Sequence, residues 1–256
     1  INIYGFSIMN GYGSNSLSYG NSSRMGGGIL VEENVTGKIS NCHISNNGYS
    51  EGNNVTGATG SGITVNAGSE IVIDSCIFTG NIAYEDGSAI NYRSNSPNGA
   101  ITSCLFYNNT CTTPAYDNAT IHLHGTEMHI TNNTIVNNNG KGIHVIGTPW
   151  PLITNNIIHG NTGGSFIYNS GSDWDHINYN YGMSSWENST GNIDEYVWLY
   201  DIETDTHSEI HYGPPDFMNP DSNNFALQLS SICIDAGHPD LDGDGITWEQ
   251  DPDDQD

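Results

Sequence analysis

Apolar residues in the first 180 positions come in short runs of three or four, split by Asn, Gly, Ser and Thr, and no long stretch has helical spacing. Two kinds of run alternate. The first reads GILV from Gly28, GITV from Gly62, AINY from Ala89, TIHL from Thr120, GIHV from Gly142 and SFIY from Ser165. The second reads ISNCHISNN, IDSCIFTGN, ITSCLFYNN, ITNNTIVNN, ITNNIIHGN and, in a weaker form, INYNYG. Aligned on Cys42, Cys76, Cys104, Asn133, Asn156 and Asn180, the second runs are separated by 34, 28, 29, 23 and 24 residues. An earlier copy, INIYGFSIMNG, places Phe6 at the same anchor, 36 residues before Cys42. No single unit of this kind can bury its own apolar side, so similar units must stack into an all-β solenoid of about seven coils.

Alternation within a strand assigns faces. In the first runs, Ile29, Ile63, Ile90, Ile121, Ile143 and Phe166 point inward, as do Val31, Val65, Tyr92, Leu123, Val145 and Tyr168. The residues between them are expected to face solvent. Coils about 4.8 Å apart put equivalent residues in ladders. Asn47, Asn81, Asn109, Asn138 and Asn161 form one at a turn, where their amides can bond the coils above and below. Cys42, Cys76 and Cys104 form another inside, packed as small hydrophobes rather than as a disulfide or a metal site.

The GGGI-type strand, the I-x-N-C-x-I-x-N-N strand and the Asn-rich turn resemble the right-handed parallel β-helix proteins of the pectate-lyase-like superfamily. That resemblance covers roughly residues 1–182, and the coils are expected over residues 1–183. Over 184–239, a Trp-, Tyr- and acid-rich stretch and then PPDFMNPDSNNFALQLSSICIDAG are expected to cap and close the same domain. The combination of D-F-x-N-P, F-x-L-x-x-S-x-C-I-D-A-G and an Asp-rich run looks like the C-terminal end of secreted bacterial β-helix repeat proteins. Residues 240–256 are an acidic tail, and the chain reads as a mature or trimmed piece of a longer protein.

Charge changes the picture mainly at that tail. The chain holds 29 acids and 4 bases, a formal charge of −25, yet nine of the acids and all the bases lie in residues 1–170. The repeats are close to neutral and the C-terminal third is strongly acidic. Such a chain repels phosphate backbones and anionic lipid, and no run is apolar enough for membrane insertion, which leaves divalent cations as partners. Within the tail, Asp240, Asp242 and Asp244, Gly245 and Asp251 stand at positions 1, 3, 5, 6 and 12 of an EF-hand-type loop, with the Ile246 carbonyl at position 7. This pattern suits structural Ca²⁺; the alternative is a solvated acidic linker. Solenoid form, composition and the calcium-like loop together suggest a secreted or cell-surface protein.

The remaining chemistry lies on the outer side of the first runs. One outward column reads Leu30, Thr64, Asn91, His122, His144, Ile167, and the next reads Glu32, Asn66, Arg93, His124, Ile146, Asn169. Asn91, Arg93, His122, His124 and His144 thus converge on the face where the superfamily it resembles binds polysaccharide. A histidine can act as general base and an arginine can neutralise a uronate. Asp74, Asp86 and Asp117 do not come together, which disfavours a two-carboxylate glycosidase. Three functions stay open. The leading one is a polysaccharide- or cell-surface-glycan-binding, adhesive or structural repeat protein stabilised by calcium. The second is a polysaccharide lyase with Arg93, His122, His124 and His144 as its catalytic residues; the third is a filament subunit that self-associates end to end. For the tail the expected outcome is concrete: chelation lowers the melting temperature, and the double variant Asp242→Ala/Asp244→Ala removes that dependence. A melting curve indifferent to chelator rules the calcium loop out.

Overall fold

The computed structural model describes residues 1–15, 24–48, 60–84, 86–93, 99–112, 118–147, 151–163, 177–178, 180, 196–201, 206–211, 215–228, 231 and 233. A full coil contributes one short strand to each of three parallel sheets. The longest has seven strands: Asn2–Tyr4, Thr36–Ser40, Glu70–Asp74, Gly99–Thr102, Met128–Thr131, Leu152–Thr154 and Ile177–Asn178. A six-stranded sheet follows it around the coil: Ser7–Met9, His43–Ser45, Ile77–Thr79, Leu105–Tyr107, Thr134–Val136 and Ile157–His159. The five-stranded sheet holds the first runs: Ile29–Val31, Ile63–Val65, Gly87–Tyr92, Ala119–His124 and Lys141–Ile146. The expected solenoid of about seven coils is therefore the observed architecture, and the register matches the sequence alignment coil by coil.

Two corners shape every coil. Between the seven- and six-stranded sheets stand Gly5, Asn41, Ser75, Ser103, Asn132 and Asn155, all at positive φ; after the six-stranded sheet stand Asn10, Asn46, Gly80, Asn108, Asn137 and Gly160, also at positive φ. Asn and Gly tolerate this left-handed conformation, which turns the chain sharply within one residue. From the second coil on, each corner residue aims the next side chain into the interior, and those next residues are the ladder positions.

At the second corner the ladder is continuous. The backbone N–H and Nδ2 of Asn81 both donate to Asn109 Oδ1 (3.1 and 2.9 Å), and Asn81 Nδ2 also donates to Ile44 O at 2.9 Å. Asn47, Asn109 and Asn138 repeat that arrangement toward their next coil. At the first corner cysteine and asparagine share the role. The N–H groups of Cys42 and Cys76 donate to Cys76 Sγ and Cys104 Sγ at 3.4 Å, then Cys104 N–H donates to Asn133 Oδ1 at 2.9 Å. The cysteines are buried and unbridged. Burial pushes the Cys104 thiol well above the usual thiol range. Phe6 keeps the expected register, since Ser7 pairs with His43, but its ring is 62% exposed rather than interior. A slot stacked at the coil spacing takes a thiol or a short amide, not an aromatic ring.

Between the ladders the core is aliphatic. Ile39, Ile73, Ile101, Ile130 and Ile153 line up inward from the seven-stranded sheet, and Phe78 stacks on Phe106 with ring centroids 4.7 Å apart. Ile63, Ile90, Ile121 and Ile143 face them, with Val65, Tyr92, Leu123 and Val145 as expected. Tyr92 spans the section: its hydroxyl donates to Ile71 O at 2.8 Å and accepts from Ile71 N–H at 3.0 Å. The glycine opening GITV is required by packing, because a Cβ on Gly62 would collide with the carbonyl oxygen of Ala89 on the next coil. Phe166 to Asn169 and the tail from Asp240 lie outside the described residues.

The C-terminal part is placed along a flank. Phe217–Asn219 and Asn224–Leu227 form an antiparallel hairpin around a 3₁₀ turn, and Phe217 and Phe225 pack on Val136 with Leu105, Tyr107 and Ile157 beside them. They cover the outer side of the six-stranded sheet at coils four to six. Upstream, Tyr196–Asp201 and Thr206–His211 pair as a second antiparallel hairpin.

Asn109→Ala removes the only side-chain acceptor for two buried donors of Asn81 and is expected to cost roughly 3 kcal/mol. In a thermal melt that is a fall of about 6–12 °C, while Asn139→Ala, at an exposed neighbouring site, stays close to the parent. Equal curves for the two variants contradict the ladder as a stability element. The thiols give an independent check: Cys42, Cys76 and Cys104 should resist a thiol reagent until the protein is denatured, and rapid native labelling of all three overturns their interior placement.

Candidate functional site

The five-stranded sheet carries the polar columns expected from the sequence. Leu30, Thr64, Asn91, His122 and His144 stand in register on consecutive coils. The expectation that this column faces solvent is overturned: Thr64, Asn91, His122 and His144 are 0%, 1%, 5% and 1% exposed. The cause is local. At Thr64 the residues just ahead of Ile29–Val31 and Ile63–Val65 lie across the outer side, so that Gly26 N–H donates to Thr64 Oγ1 at 3.0 Å and Thr64 Oγ1 donates to Gly60 O at 3.3 Å. Gly60 lies against Asn91, where a Cβ would come within 2.8 Å of the Asn91 Cβ, and its φ of +61° is one that glycine adopts without strain.

Within that covered strip the polar groups form a chain. Asn91 Nδ2 donates to Asp86 Oδ2 at 3.4 Å, which leaves Asn91 Oδ1 as the acceptor for His122 Nδ1 at 3.2 Å. His122 Nδ1 therefore carries a proton. The His144 ring follows on the next coil, its centroid 5.2 Å from that of His122 and tilted by 44°. Stacking of the two histidines was legible from the register; Asp86 as the group that orients Asn91 was not, because it sits in a turn at φ +58° outside the strand alternation.

The second column stays nearer to solvent. Arg93 is half-buried and its Nη1 lies 3.6 Å from the sulfur of the buried Met25, while His124, one coil on, is exposed. Below them Asn66 Nδ2 donates to Glu32 Oε2 at 3.0 Å, adding a carboxylate that belongs to the same row as Arg93. The row thus runs acid, amide, guanidinium and imidazole on successive coils, with the Asn66 amide buried beneath Glu32. Arg93 and His124 can bind a carboxylate or sugar hydroxyls; Asn91, His122 and His144 are enclosed by the protein itself. No group of three or more His, Cys, Asp or Glu side chains that could hold a metal occurs among the described residues. Asp74 lies in the seven-stranded sheet, away from Asp86, and Asp117 and the Asp-rich stretch from Asp240 to Asp251, with its expected calcium ligands, lie outside the described residues.

A family model for the right-handed β-helix region matches residues 48–181, just over half of the chain. The chain belongs to the right-handed β-helix family. No curated protein and no solved structure matches it. In this β-helix the family match takes in Asn91, Arg93, His122, His124 and His144, so the polar columns are part of the repeat itself. Membership accounts for the stacking; this architecture hosts unrelated activities, so function has to be argued from the surface.

Proposed function

We propose that this β-helix is a secreted or cell-surface protein that binds polysaccharide along a lateral face, in an adhesive or structural role, with calcium steadying its acidic C-terminal tail. The observation that carries the reading is the enclosure of Asn91, His122 and His144. General base catalysis on a polymer needs the base within hydrogen-bond reach of the proton it removes, and these side chains are closed off from solvent, at 1%, 5% and 1% exposure. What such a solenoid offers instead is a rigid array of side chains at fixed spacing. Binding to a rigid array costs little ordering of the protein, so modest contacts add efficiently. The acidic composition and the Asp-rich loop favour the calcium-containing exterior of a cell.

A lyase reading keeps one support, the accessible Arg93 and His124 at the edge of the enclosed strip. The two are separated by incubating the protein with pectate, alginate, cellulose, xylan and chitin in the presence of calcium. Retention on at least one polymer without ultraviolet absorbance from unsaturated sugar is the expected result. Unsaturated product that disappears in Arg93→Ala replaces it with a lyase, and failure to bind any of the five defeats the polysaccharide reading.

A further inference from the structure

Of the three long faces, two are enclosed over much of their length: on the five-stranded sheet the outward column Thr64, Asn91, His122 and His144 is buried, and the six-stranded sheet is covered by Phe217 and Phe225 at coils four to six. The outer side of the seven-stranded sheet differs. One column there reads Lys38, Val72, Ala100, His129, Leu152, and the next reads Ser40, Asp74, Thr102, Thr131, Thr154, each in unbroken parallel register. The adjoining corner adds Asn41, Ser75, Ser103, Asn132 and Asn155. Lys38, His129 and the corner side chains of the first four of these are exposed, Val72, Asp74, Ala100, Thr102, Thr131, Leu152 and Asn155 are half-buried, and Ser40 and Thr154, at the two ends of their column, are buried.

The chemistry of these columns is complementary to one kind of polymer. Hydroxyls and amides recur at every coil, about 4.8 Å apart, next to a row that is apolar at Val72, Ala100 and Leu152. Sugar rings present the same combination, a hydroxyl rim beside C–H faces. Charge narrows the choice further. Lys38 Nζ and Asp74 Oδ2 form an ion pair at 2.9 Å, with Thr102 Oγ1 and Ser75 Oγ also donating to Asp74 Oδ1, so the two fixed charges of these columns are spent on each other. The Lys38 ammonium and these hydroxyls hold the Asp74 carboxyl below the usual carboxylate range. A polyanion finds no free cation here and is repelled by a chain of charge −25. A polycation is drawn instead to the acidic C-terminal third.

We infer that the outer side of the seven-stranded sheet, across coils two to six, is a binding surface for an extended, uncharged polysaccharide. This rests on the polysaccharide-binding reading above and adds its place and charge class. The probes are insoluble cellulose and chitin as neutral polymers, pectate as polyanion and chitosan as polycation, at moderate salt. The variants are Thr131→Val, which removes a hydroxyl with little change of shape, and Ala100→Glu, which sets a charge in the apolar row. Thr79→Val makes the same change on the outer side of the six-stranded sheet, and melting curves confirm that all three fold. The expected result is retention of the parent on a neutral polymer, a loss of about tenfold in Ala100→Glu, a smaller loss in Thr131→Val, and none in Thr79→Val. Retention on a neutral polymer that neither Ala100→Glu nor Thr131→Val weakens overturns this surface but leaves polysaccharide binding standing. Preference for pectate or chitosan overturns the charge class, and no binding to any probe removes both readings together.

Discussion

The side-chain amide that bridges one coil to the next is the contact on which the rest of this molecule depends. A parallel sheet supplies hydrogen bonds along each strand, but at a corner the chain turns and its N–H groups lose their strand partners. Asn81, Asn109, Asn138 and Asn161 meet that demand from inside: each carboxamide oxygen accepts from the coil before it, and each amide nitrogen donates to a strand carbonyl of that preceding coil or to the next ladder member. The ladder works only if equivalent residues lie in strict register. It therefore fixes the rise, and the rise places every other column.

Cysteine's presence in the same structural slot follows from what the slot asks for. Cys76 Sγ accepts the N–H of Cys42 and donates to Asp74 O at 3.3 Å, a weaker copy of what Asn156 does for Asn133. A thiol is small and apolar enough to belong to the core as well as to the ladder. Three coils with cysteine and three with asparagine thus stack without interruption, and the unbridged state of the thiols needs no further account.

The fold could be read from the sequence because the cues are local and repeated. Asn or Ser before the anchor, Asn or Gly before the second ladder residue, and β-branched residues at alternate positions each specify the same coil, and the steps of 34, 28, 29, 23 and 24 residues reappear as the separations of bonded ladder partners. The site was read only in part. Alternation correctly puts Asn91, His122 and His144 in one outward column, but outward in a strand is not the same as open to solvent. Whether Thr64 and Asn91 meet water depends on Gly26, Gly60 and Asp86, which lie before the strands in segments without periodicity. Likewise the apolar outer side of Tyr107, Val136 and Ile157 makes sense only once Phe217 and Phe225, more than fifty residues away, are laid against it.

The variation in coil length then acquires a physical meaning. A bare coil needs little beyond its three strands and two corners, and the later steps of 23 and 24 residues are close to that minimum. The extra residues of the earlier coils lie largely in the stretches after Asn10 and after Asn47, which lead into Ile29–Val31 and Ile63–Val65 and supply the Gly26 and Gly60 contacts over Thr64. The described ends of those stretches thus lie over the five-stranded sheet at Thr64. The seven- and six-stranded sheets are joined through a single left-handed residue and its ladder neighbour, so no added segment can enter at that corner. In a quasi-one-dimensional fold each coil can vary its loops without disturbing its neighbours. Loop insertions can therefore change one face of this β-helix while the ladder keeps the opposite faces regular.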